Sequence, residues 1–424
     1  MIRSIFTNFS ARLGVAVLNF IMLLVITHIL GKGIYGQISV IALNVSYIHL
    51  ISDLAGGPSL VYLTPRARLG SLLLTGSIWS FVNSIGIGLI LIYTGIFPEL
   101  YGKEVLLIGL LISLHSLNQN LLLGQERIKV YNILFFAQGI LQILSLLIFI
   151  FLLKQADAYP CIIAFIISNA ICYVIGLFLV LQKRIEPKII EPRPLLLVLF
   201  ANGFYTQAAS VFLVMPKSIS FNSMKANLPD GEGSVGIVNS AYSLASAIML
   251  FGASVSAVVL SKVANHANHT ETRTTVFRLA KLSLLFTLLA VGFFLILPAE
   301  FYTWLLGKDF SPVKNIFIAM SPGIIFISLG TVFSHYFSGA GKHIMNFASG
   351  IVTLIFAWLI TDYLVRKYGA NGAGMAASVT FIVMTLFIMT AFILVGKNPI
   401  ADMKLLFPQK GDFKALITIF KKEK

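Results

Sequence analysis

The sequence predicts an all-α membrane protein in which twelve transmembrane helices form two six-helix bundles. Composition indicates the class, because the 424 residues are 58% hydrophobic and only 11% charged. The mean hydropathy of +0.91 does not describe a water-soluble surface. Length indicates the architecture, because apolar runs of about 20 residues recur along nearly the whole chain. Such a run crosses a hydrocarbon core of ~30 Å as a helix.

The twelve apolar segments are separated by short connections. The first segment is too long for the apolar region of a secretory signal peptide, so we expect it to be retained as a helix. No connection is long enough to hold an ordinary folded catalytic domain. We place the segments at approximately 11–30, 37–58, 71–96, 105–123, 132–153, 160–181, 195–219, 235–260, 277–297, 313–337, 344–364 and 373–396.

Positive charge predicts the orientation of these segments. The net charge is +15, but most Lys and Arg residues lie in alternate connections, which argues against a nucleic-acid partner. This distribution follows the positive-inside rule, so we expect an even number of helices and both termini in the cytoplasm. Arg66 and Arg127 lie in cytoplasmic connections and are our candidates for the cytoplasmic mouth of a transport pathway.

A charged, proline-containing connector, QKRIEPKIIEPRP at 182–194, divides the segments six and six. We therefore expect an N-terminal bundle at 1–181, a C-terminal bundle at 195–397 and a basic cytoplasmic tail at 398–424. Three short echoes cross the connector in the same order: YGQISV with VGIVNS, YGKE with LGKDF, and LLGQERIKVYN with FSGAGKHIMNF. They indicate parallel repeats about an axis along the membrane normal. Such repeats leave a cavity between two lobes, which rocking exposes to each side alternately.

The second segment contains the one acidic residue that lies well within a predicted segment, Asp53. His49 lies four residues earlier on the same helix face, where an imidazole and a carboxylate can share a proton or a cation. We predict ion coupling or gating for this pair, and a hydrogen bond to a neighbouring helix is the alternative. The Gly-Gly-Pro sequence at 56–58 predicts a bend or a broken end just beyond. Cys161 and Cys172 imply neither a disulfide nor a metal site.

Lys217, in the run FLVMPKSISF, is a cation in an apolar segment with no carboxylate nearby in sequence. It lies 22 residues, or ~33 Å, beyond Leu195, in the outer third of the seventh segment. An intramembrane charge is by default a functional residue, and snorkelling to the outer headgroups is the alternative. Pro216 predicts a local break that could turn the lysine toward a cavity.

Other polar side chains gather on the first two segments of each half, whereas the fifth, sixth and twelfth are nearly pure hydrocarbon. A water-filled cavity lined by those four segments would account for the difference. For Arg12, snorkelling is the alternative, and for His115, Asn118 and Gln119 of the fourth segment it is bonding between helices. The remaining cavity candidates are Arg12, His28, Asn202, Gln207, Asn239 and Tyr242.

Enzyme signatures are absent from the sequence, which contains no HExxH, GxSxG or Walker A motif. ATP-driven transport is unsupported as well, because the chain has no nucleotide-binding domain. We therefore predict a transporter without a cofactor and no enzymatic activity; a link to H⁺ or Na⁺ is implied by the family resemblance described next.

Several motifs resemble those of the polysaccharide transporter family, the Wzx-type flippases of the multidrug/oligosaccharidyl-lipid/polysaccharide exporter superfamily. LGKGIYGQISV at 30–40 resembles their LGxxxYGxxxL junction, ISDLAGGPSLVYLTPR at 51–66 resembles DLGLxxALxRxxxR, and GQERIKVYN fits GxxRxKxY. In the second half, VGIVNSAY, LLGKDFSP and KYGANGAGMAASV at 367–379 resemble GxYxxA, GxxFxxA and KYGxxGAAxA. The resemblance spans about residues 5–397.

The resemblance implies a V-shaped, ion-linked, alternating-access flippase. Its substrate would be an undecaprenyl-diphosphate-linked oligosaccharide, moved from the inner to the outer leaflet of the bacterial cytoplasmic membrane. The family often has an acid-base pair at positions 216 and 217, and here the pair is Pro216 and Lys217, which keeps the cation without its acidic partner. Where His28 stands the family often has arginine, so this cation would be charged only conditionally. We expect a monomer, with a polysaccharide polymerase and glycosyltransferases as functional partners.

Three alternatives remain open at this point. A multidrug or organic-cation antiporter of the related efflux branch would prefer a cavity lined by carboxylates. A membrane glycan polymerase or ligase usually needs a sizeable extracytoplasmic loop. A lipid II flippase belongs to the same superfamily, although those relatives commonly have two extra helices.

Overall fold

The computed structural model describes residues 2–55, 57–64, 67–93, 101–153, 157–182, 195–265 and 269–396. Throughout these ranges the regular structure is helical, which confirms the predicted all-α class. The helices are α1 (Ile2–Ile29), α2 (Gly31–Ser52), α3 (Gly57–Leu63), α4 (Leu69–Tyr93), α5 (Gly102–Gly124), α6 (Ile128–Leu153), α7 (Tyr159–Gln182), α8 (Leu195–Asn227), α9 (Gly231–Asn265), α10 (His269–Ile296), α11 (Ala299–Leu306), α12 (Val313–Gly339), α13 (His343–Tyr368) and α14 (Ala370–Leu394).

Twelve of these helices are long, and only α3 and α11 are short. Within the described ranges, ten helices are long and apolar enough to cross a membrane, and α1 and α8 are the other two long ones. The chain is therefore a multi-pass membrane protein. The predicted tail at 398–424 and the connector at 183–194 lie outside the described residues.

The chain forms two compact units whose boundary falls inside two helices. One unit comprises residues 17–211, and the other comprises residues 1–16 together with 212–424. Both α1 and α8 therefore contribute to the two units, α1 with its first half and α8 with its second half in the C-terminal one. The predicted division at the connector stays a prediction, because the connector itself is not described.

The N-terminal unit packs around α5. This helix contacts α2, α4 and α7, and α7 also packs along α6. Leucines dominate the core cluster, where Leu60 and Leu63 of α3 meet Leu117 and Leu121 of α5, while Leu199 of α8 covers the cluster. Because lipid is as apolar as leucine, van der Waals packing between these side chains, rather than their removal from water, stabilises the unit.

The C-terminal unit packs around α12 in the same way. This helix contacts α9, α10 and α14, and α14 packs along α13. Its core is aromatic: Phe277, Phe333 and Phe392 lie with ring centroids 4.9 to 5.9 Å apart. Such edge-to-face and tilted pairs add to the stabilisation from burial alone.

Burial along the chain repeats from one unit to the other, as the predicted duplication requires. In α5 and α12, 56% and 61% of the most apolar 18-residue stretch is buried. In α4, α6, α10 and α13, the buried fraction of the corresponding stretch is 28% in each helix. Because α5 and α12 are the fourth and tenth predicted segments, the central helix holds the same place in both halves. The less buried helices present exposed large apolar side chains, as lipid-facing helices do.

The turns after α5 and α12 repeat the same hydrogen bonds at an offset of 215 residues. Arg127 N–H donates to Leu122 O at 2.9 Å, and Lys342 N–H donates to Phe337 O at 2.8 Å. The residue before each donor has positive φ, 61° at Glu126 and 71° at Gly341. Both turns are Schellman motifs, in which glycine usually takes the left-handed position.

Close helix approach explains the glycine that ends each central helix. A Cβ on Gly124 would lie 2.2 Å from Thr64 Oγ1, and a Cβ on Gly339 would lie 2.7 Å from Leu260 O. Thr64 directly follows α3, and Leu260 lies near the end of α9. The echo containing Gly124 and Gly339 therefore marks equivalent helix crossings.

Several helices differ from their predicted extents, and two of these helices carry candidate site residues. The second segment is broken as predicted, with α2 ending at Ser52, a 3₁₀ turn over Asp53–Ala55, and α3 beginning at Gly57. In contrast, α8 remains helical through Pro216 and runs to Asn227, eight residues beyond the predicted end at 219. The local break predicted at Pro216 was wrong, because the helix tolerates the missing N–H donor within a packed membrane protein.

Candidate functional site

Lys217 lies on α8 in the C-terminal unit, against two aromatic rings. Its Nζ is 5.3 Å from the ring centroid of Phe221, one turn along the same helix, and 5.1 Å from that of Tyr242 on α9. These distances are typical of cation–π contacts. Lys217 and Tyr242, both predicted to line the cavity, are therefore in contact, and their role in binding a substrate stays a prediction.

The charge on Lys217 has no anionic partner in the described part of the chain. The side chain is half-buried, and within the described ranges its ammonium makes neither a hydrogen bond nor an ion pair. Ring quadrupoles hold a cation more weakly than a carboxylate does when both are desolvated. The site can therefore attract an anion without first breaking an internal salt bridge.

Asn239 lies one turn before Tyr242 on α9 and is half-buried. Its backbone carbonyl accepts a hydrogen bond from Ser243 Oγ at 3.0 Å. Lys217, Tyr242 and Asn239 therefore lie in the same unit, on the consecutive helices α8 and α9. Phe221, which the sequence reasoning missed, completes the aromatic surface and could have been found by its i+4 spacing from the lysine.

Asp53 and His49 form a second group of polar side chains, in the N-terminal unit. His49 Nε2 lies 3.9 Å from Asp53 Oδ2, and the side chains are 30% and 18% exposed, respectively. Ser116 Oγ of α5 donates to Asp53 Oδ1 at 3.4 Å. The carboxylate thus stands at the break between α2 and α3, where a cation or a proton could reach it.

Gln207 belongs to the Asp53 group rather than to the lysine. A Cβ on Gly57 would lie 3.1 Å from Gln207 Nε2 and 3.7 Å from Asp53 Oδ2, so all three residues meet at one point. Gly57 has φ of +49°, a conformation that glycine adopts readily, and it brings α3 close to α8. Gln207 and Lys217 lie in different compact units, so their predicted placement along one cavity lined by both halves stays a prediction.

In the polar run of the fourth segment, Asn118 makes the hydrogen bond between helices that was the alternative to a functional role. Asn118 Nδ2 donates to Tyr173 O of α7 at 3.0 Å, which is a bond between helices. His115 Nε2 lies 2.9 Å from Gln119 Nε2 within α5. All three side chains are buried. We therefore interpret them as packing groups of the N-terminal unit.

The remaining candidates occupy several environments. His28 is exposed, with its Nδ1 3.0 Å from Leu24 O in the same helix. Arg127 donates from Nη1 to Leu179 O in the last turn of α7, so its guanidinium is engaged inside the N-terminal unit. Arg12 lies on α1 and Asn202 on α8, but their side chains are outside the described set, as is Arg66 altogether.

Comparisons with known proteins identify the fold. No family model matches the chain, and no curated protein sequence matches it. Among solved structures, the lipid II flippase MurJ in an inward closed conformation superposes with a TM-score of 0.72 at 16% identity, covering 98% of this chain and 93% of MurJ.

Multidrug transporters share the fold as well. An inward-facing multidrug resistance MATE family transporter of the MOP superfamily gives a TM-score of 0.67 at 12% identity, covering 94% of this chain and 95% of that one. The Vibrio cholerae MATE transporter VcmN, in a mutant form, gives 0.63 at 13% identity, covering 92% and 95%. The predicted all-α fold with twelve long helices is confirmed, and the chain shares the fold of these MOP superfamily transporters.

Proposed function

We propose that the protein is a flippase that moves a polyprenyl-diphosphate-linked oligosaccharide, such as a surface polysaccharide repeat unit, across the bacterial cytoplasmic membrane. Movement runs from the inner to the outer leaflet by alternating access. The observation that carries the proposal is the half-buried ammonium of Lys217, which faces two aromatic rings and has no acidic partner among the described residues. A desolvated, unpaired cation favours a substrate that brings its own negative charge.

The membrane potential assists such a substrate. Moving one charge across 100 mV changes the free energy by about 2.3 kcal/mol, so a diphosphate with roughly two negative charges gains ~4.6 kcal/mol on leaving a negative-inside cell. Cationic residues are then needed mainly to offset desolvation of the diphosphate in transit. Few cations suffice, because release requires weak binding.

The aromatic rings beside Lys217 suit the rest of such a substrate. Phe221 is fully buried and Tyr242 is half-buried, so the lysine is presented on an apolar wall rather than in a hydrated pocket. Phosphate oxygens replace lost water by accepting hydrogen bonds from the ammonium. The adjoining apolar surface of the helices is compatible with a polyprenyl chain that stays in the lipid.

Coupling is assigned in this proposal to Asp53 and His49. The carboxylate has a histidine at 3.9 Å and a serine hydroxyl at 3.4 Å, a set of groups that can exchange a proton or hold a small cation. Its place at the break between α2 and α3 gives it a backbone that can change conformation. Linkage of transport to H⁺ or Na⁺ through this carboxylate is part of the proposal.

The competing hypothesis, efflux of organic cations, asks for the opposite electrostatics. A cationic substrate would need carboxylates where Lys217 stands. The family resemblance in the motifs, and the lipid II flippase among the structural neighbours, also favour a lipid-linked diphosphate. Transport of an anion thus accounts for the sign of the charge in the C-terminal unit, whereas cation efflux does not.

The test is export of the polysaccharide by cells that carry Lys217 variants at matched protein level. Lys217→Ala should reduce export at least about tenfold, since a charge-assisted hydrogen bond contributes on the order of 1.5–3 kcal/mol. Lys217→Arg should retain most export because the charge remains. Lys225→Ala, on the same helix but exposed, is the matched control and should export normally. Wild-type export by the Lys217→Ala protein would show that the lysine snorkels to the lipid headgroups without binding substrate. That result would remove the main support for the proposal.

A further inference from the structure

The C-terminal ends of α8 and α13 meet at an acidic residue that the candidate sites above do not include. Ser223 Oγ and Asn227 Nδ2, in the last two turns of α8, each donate to Asp362 Oδ1 at 2.9 Å. Asp362 lies in the last two turns of α13. Since both helices start on the predicted cytoplasmic side, these ends face the outer surface.

Asp362 also fixes the orientation of a neighbouring arginine. Arg366 Nε donates to Asp362 Oδ2 at 2.7 Å, a charge-assisted bond one turn along α13. The guanidinium makes no other hydrogen bond within the described ranges, and the side chain is 66% exposed. Both Nη groups are therefore available to a ligand, in the fork geometry that binds phosphate through two parallel hydrogen bonds.

The next residue, Lys367, presents a second cation that is held by aromatic groups. Its Nζ donates to the hydroxyl of Tyr363 at 3.2 Å. The same ammonium lies 5.5 Å from the ring centroid of Tyr363 and 5.3 Å from that of Tyr368. All three side chains are exposed. The rings restrict the lysine without neutralising it, because ring faces carry no net charge.

We propose that Arg366 and Lys367 form a second anion-binding site, which takes the substrate diphosphate at the outer ends of α8 and α13. The assignment of this ligand rests on the proposed function. The charges of Arg366 and Lys367 match the roughly two negative charges of the diphosphate. The carboxylate of Asp362 offsets one of these two positive charges. The site is thus oriented for phosphate but weakly charged overall, as a site for release requires.

The position of this site along α8 gives it a place in the transport sequence. Ser223, to which the Arg366 network is attached, lies six residues, or ~9 Å, beyond Lys217 on the same helix. A diphosphate that leaves Lys217 toward the outer side therefore meets Arg366 and Lys367 next. The pair would lower the cost of returning the charged headgroup to the outer interface.

Binding of inorganic pyrophosphate to the purified full-length protein tests the site directly. The measurement is the rise in thermal midpoint with pyrophosphate concentration, in detergent, because a ligand that binds only the folded state stabilises it. The background is Lys217→Ala, so that binding at that lysine does not contribute. In this background, pyrophosphate should raise the midpoint, and Arg366→Gln combined with Lys367→Gln should weaken the apparent affinity about tenfold or more.

The matched control is Lys308→Gln, which removes an exposed lysine from a turn on the same predicted side. Its affinity for pyrophosphate should equal that of the background. Unchanged affinity in the double variant, or an equal loss in the Lys308→Gln control, would overturn the assignment of the site. All three replaced side chains are exposed, so folding of the variants can be checked independently by their unliganded thermal midpoints.

A second arm separates a diphosphate from an ordinary lipid headgroup. Native mass spectrometry with farnesyl diphosphate and with phosphatidylglycerol, at equal concentration, compares two phosphates with one phosphodiester. Preferential retention of farnesyl diphosphate, lost in the double variant, supports the proposal. Equal retention of phosphatidylglycerol would show a general headgroup site and overturn the diphosphate assignment. Both measurements use purified protein, so their outcome is distinct from a failure of polysaccharide export.

Discussion

Lys217 and Asp53 could be identified as candidate functional residues from the sequence alone, because a charge in an apolar membrane segment is energetically costly. Their partners could not be predicted in the same way. Phe221 and Tyr242 are ordinary apolar or amphipathic residues of membrane helices, and only the structure shows that they face the lysine. Ser116 likewise became part of the Asp53 group only when α5 was placed beside the end of α2.

The sequence does not predict which neighbours each candidate residue contacts. Gln207 and Lys217 are ten residues apart on one helix, and the sequence offered no reason to separate them. In the structure, Gln207 lies beside Asp53 in the N-terminal unit, and Lys217 lies beside Tyr242 in the C-terminal unit. A long helix that contributes to two compact units explains the difference.

At the residue scale we predict that Asp53→Asn uncouples transport. The amide keeps the shape and the hydrogen bond from Ser116 but can neither take up a proton nor neutralise a cation. Export into the outer leaflet, measured in reconstituted vesicles with imposed gradients, should fall and should no longer respond when the H⁺ or Na⁺ gradient is collapsed. Glu300→Gln, at an exposed position in α11, is the control and should keep the wild-type response. Retained gradient dependence in Asp53→Asn would refute a coupling role for this carboxylate.

At the scale of helices, the apolar pattern predicted which segments are helical but not where each helix ends. The pattern of α8 stops near residue 219 because Asn222, Ser223 and Lys225 are polar. The helix nevertheless continues to Asn227, where Ser223 and Asn227 hydrogen-bond Asp362 of α13. Hydropathy indicates which residues of a helix cross the membrane. The residue at which the helix ends depends on contacts such as those between α8 and α13.

An arginine side chain donates a hydrogen bond to a backbone carbonyl in the last turn of α7 and of α14, the sixth and twelfth predicted segments. Arg127 binds Leu179 O in α7, and Arg273 binds Phe392 O in α14 at 2.7 Å. The C-terminal carbonyls of a helix carry partial negative charge, so a guanidinium is a favourable cap. Arg127 was a candidate for the cytoplasmic mouth, and in the structure its guanidinium caps the C-terminal end of α7.

The turn after α5 gives a prediction about stability. Glu126 holds the left-handed position of a Schellman motif with φ of 61°, whereas the equivalent residue after α12 is Gly341. A residue with a Cβ costs about 1–2 kcal/mol in that conformation, partly offset by the larger unfolded-state entropy of glycine. Glu126→Gly should therefore stabilise the protein by roughly 0.5–1 kcal/mol, seen as a higher thermal midpoint in detergent.

The matched control for that prediction is Glu126→Ala. This variant removes the same exposed carboxylate but leaves the strained backbone in place. Its thermal midpoint should stay at or below that of the wild type. If Glu126→Gly and Glu126→Ala have the same midpoint, the side-chain charge rather than the backbone conformation governs the turn.

At the scale of the whole molecule, the duplication predicted from three short echoes agrees with helix packing. The central helices α5 and α12 have equivalent neighbours, equivalent burial and the same turn at their ends. The echoes were recognisable because they fall at turns and helix crossings, where glycine and turn geometry restrict the choice of residues. The apolar faces between them carry no such signal, since many apolar side chains pack equally well in lipid.

Function at this scale depends on the sign of the charge carried across the membrane. The fold alone is common to a lipid II flippase and to multidrug transporters, so it does not select a substrate. Lys217 without an acidic partner among the described residues, and the paired Arg366 and Lys367 at the predicted exit, favour an anion. In our proposal, the substrate class therefore depends on a few side chains carried by a shared fold.

The most direct measurement is the fate of the lipid-linked oligosaccharide in cells that lack this protein. We expect loss of one surface polysaccharide, with the diphosphate-linked repeat unit accumulating in the cytoplasmic leaflet. The wild-type chain should restore export, and the Lys217→Ala chain at matched level should not. Normal surface polysaccharide together with hypersensitivity to cationic drugs would contradict the account and favour the efflux function.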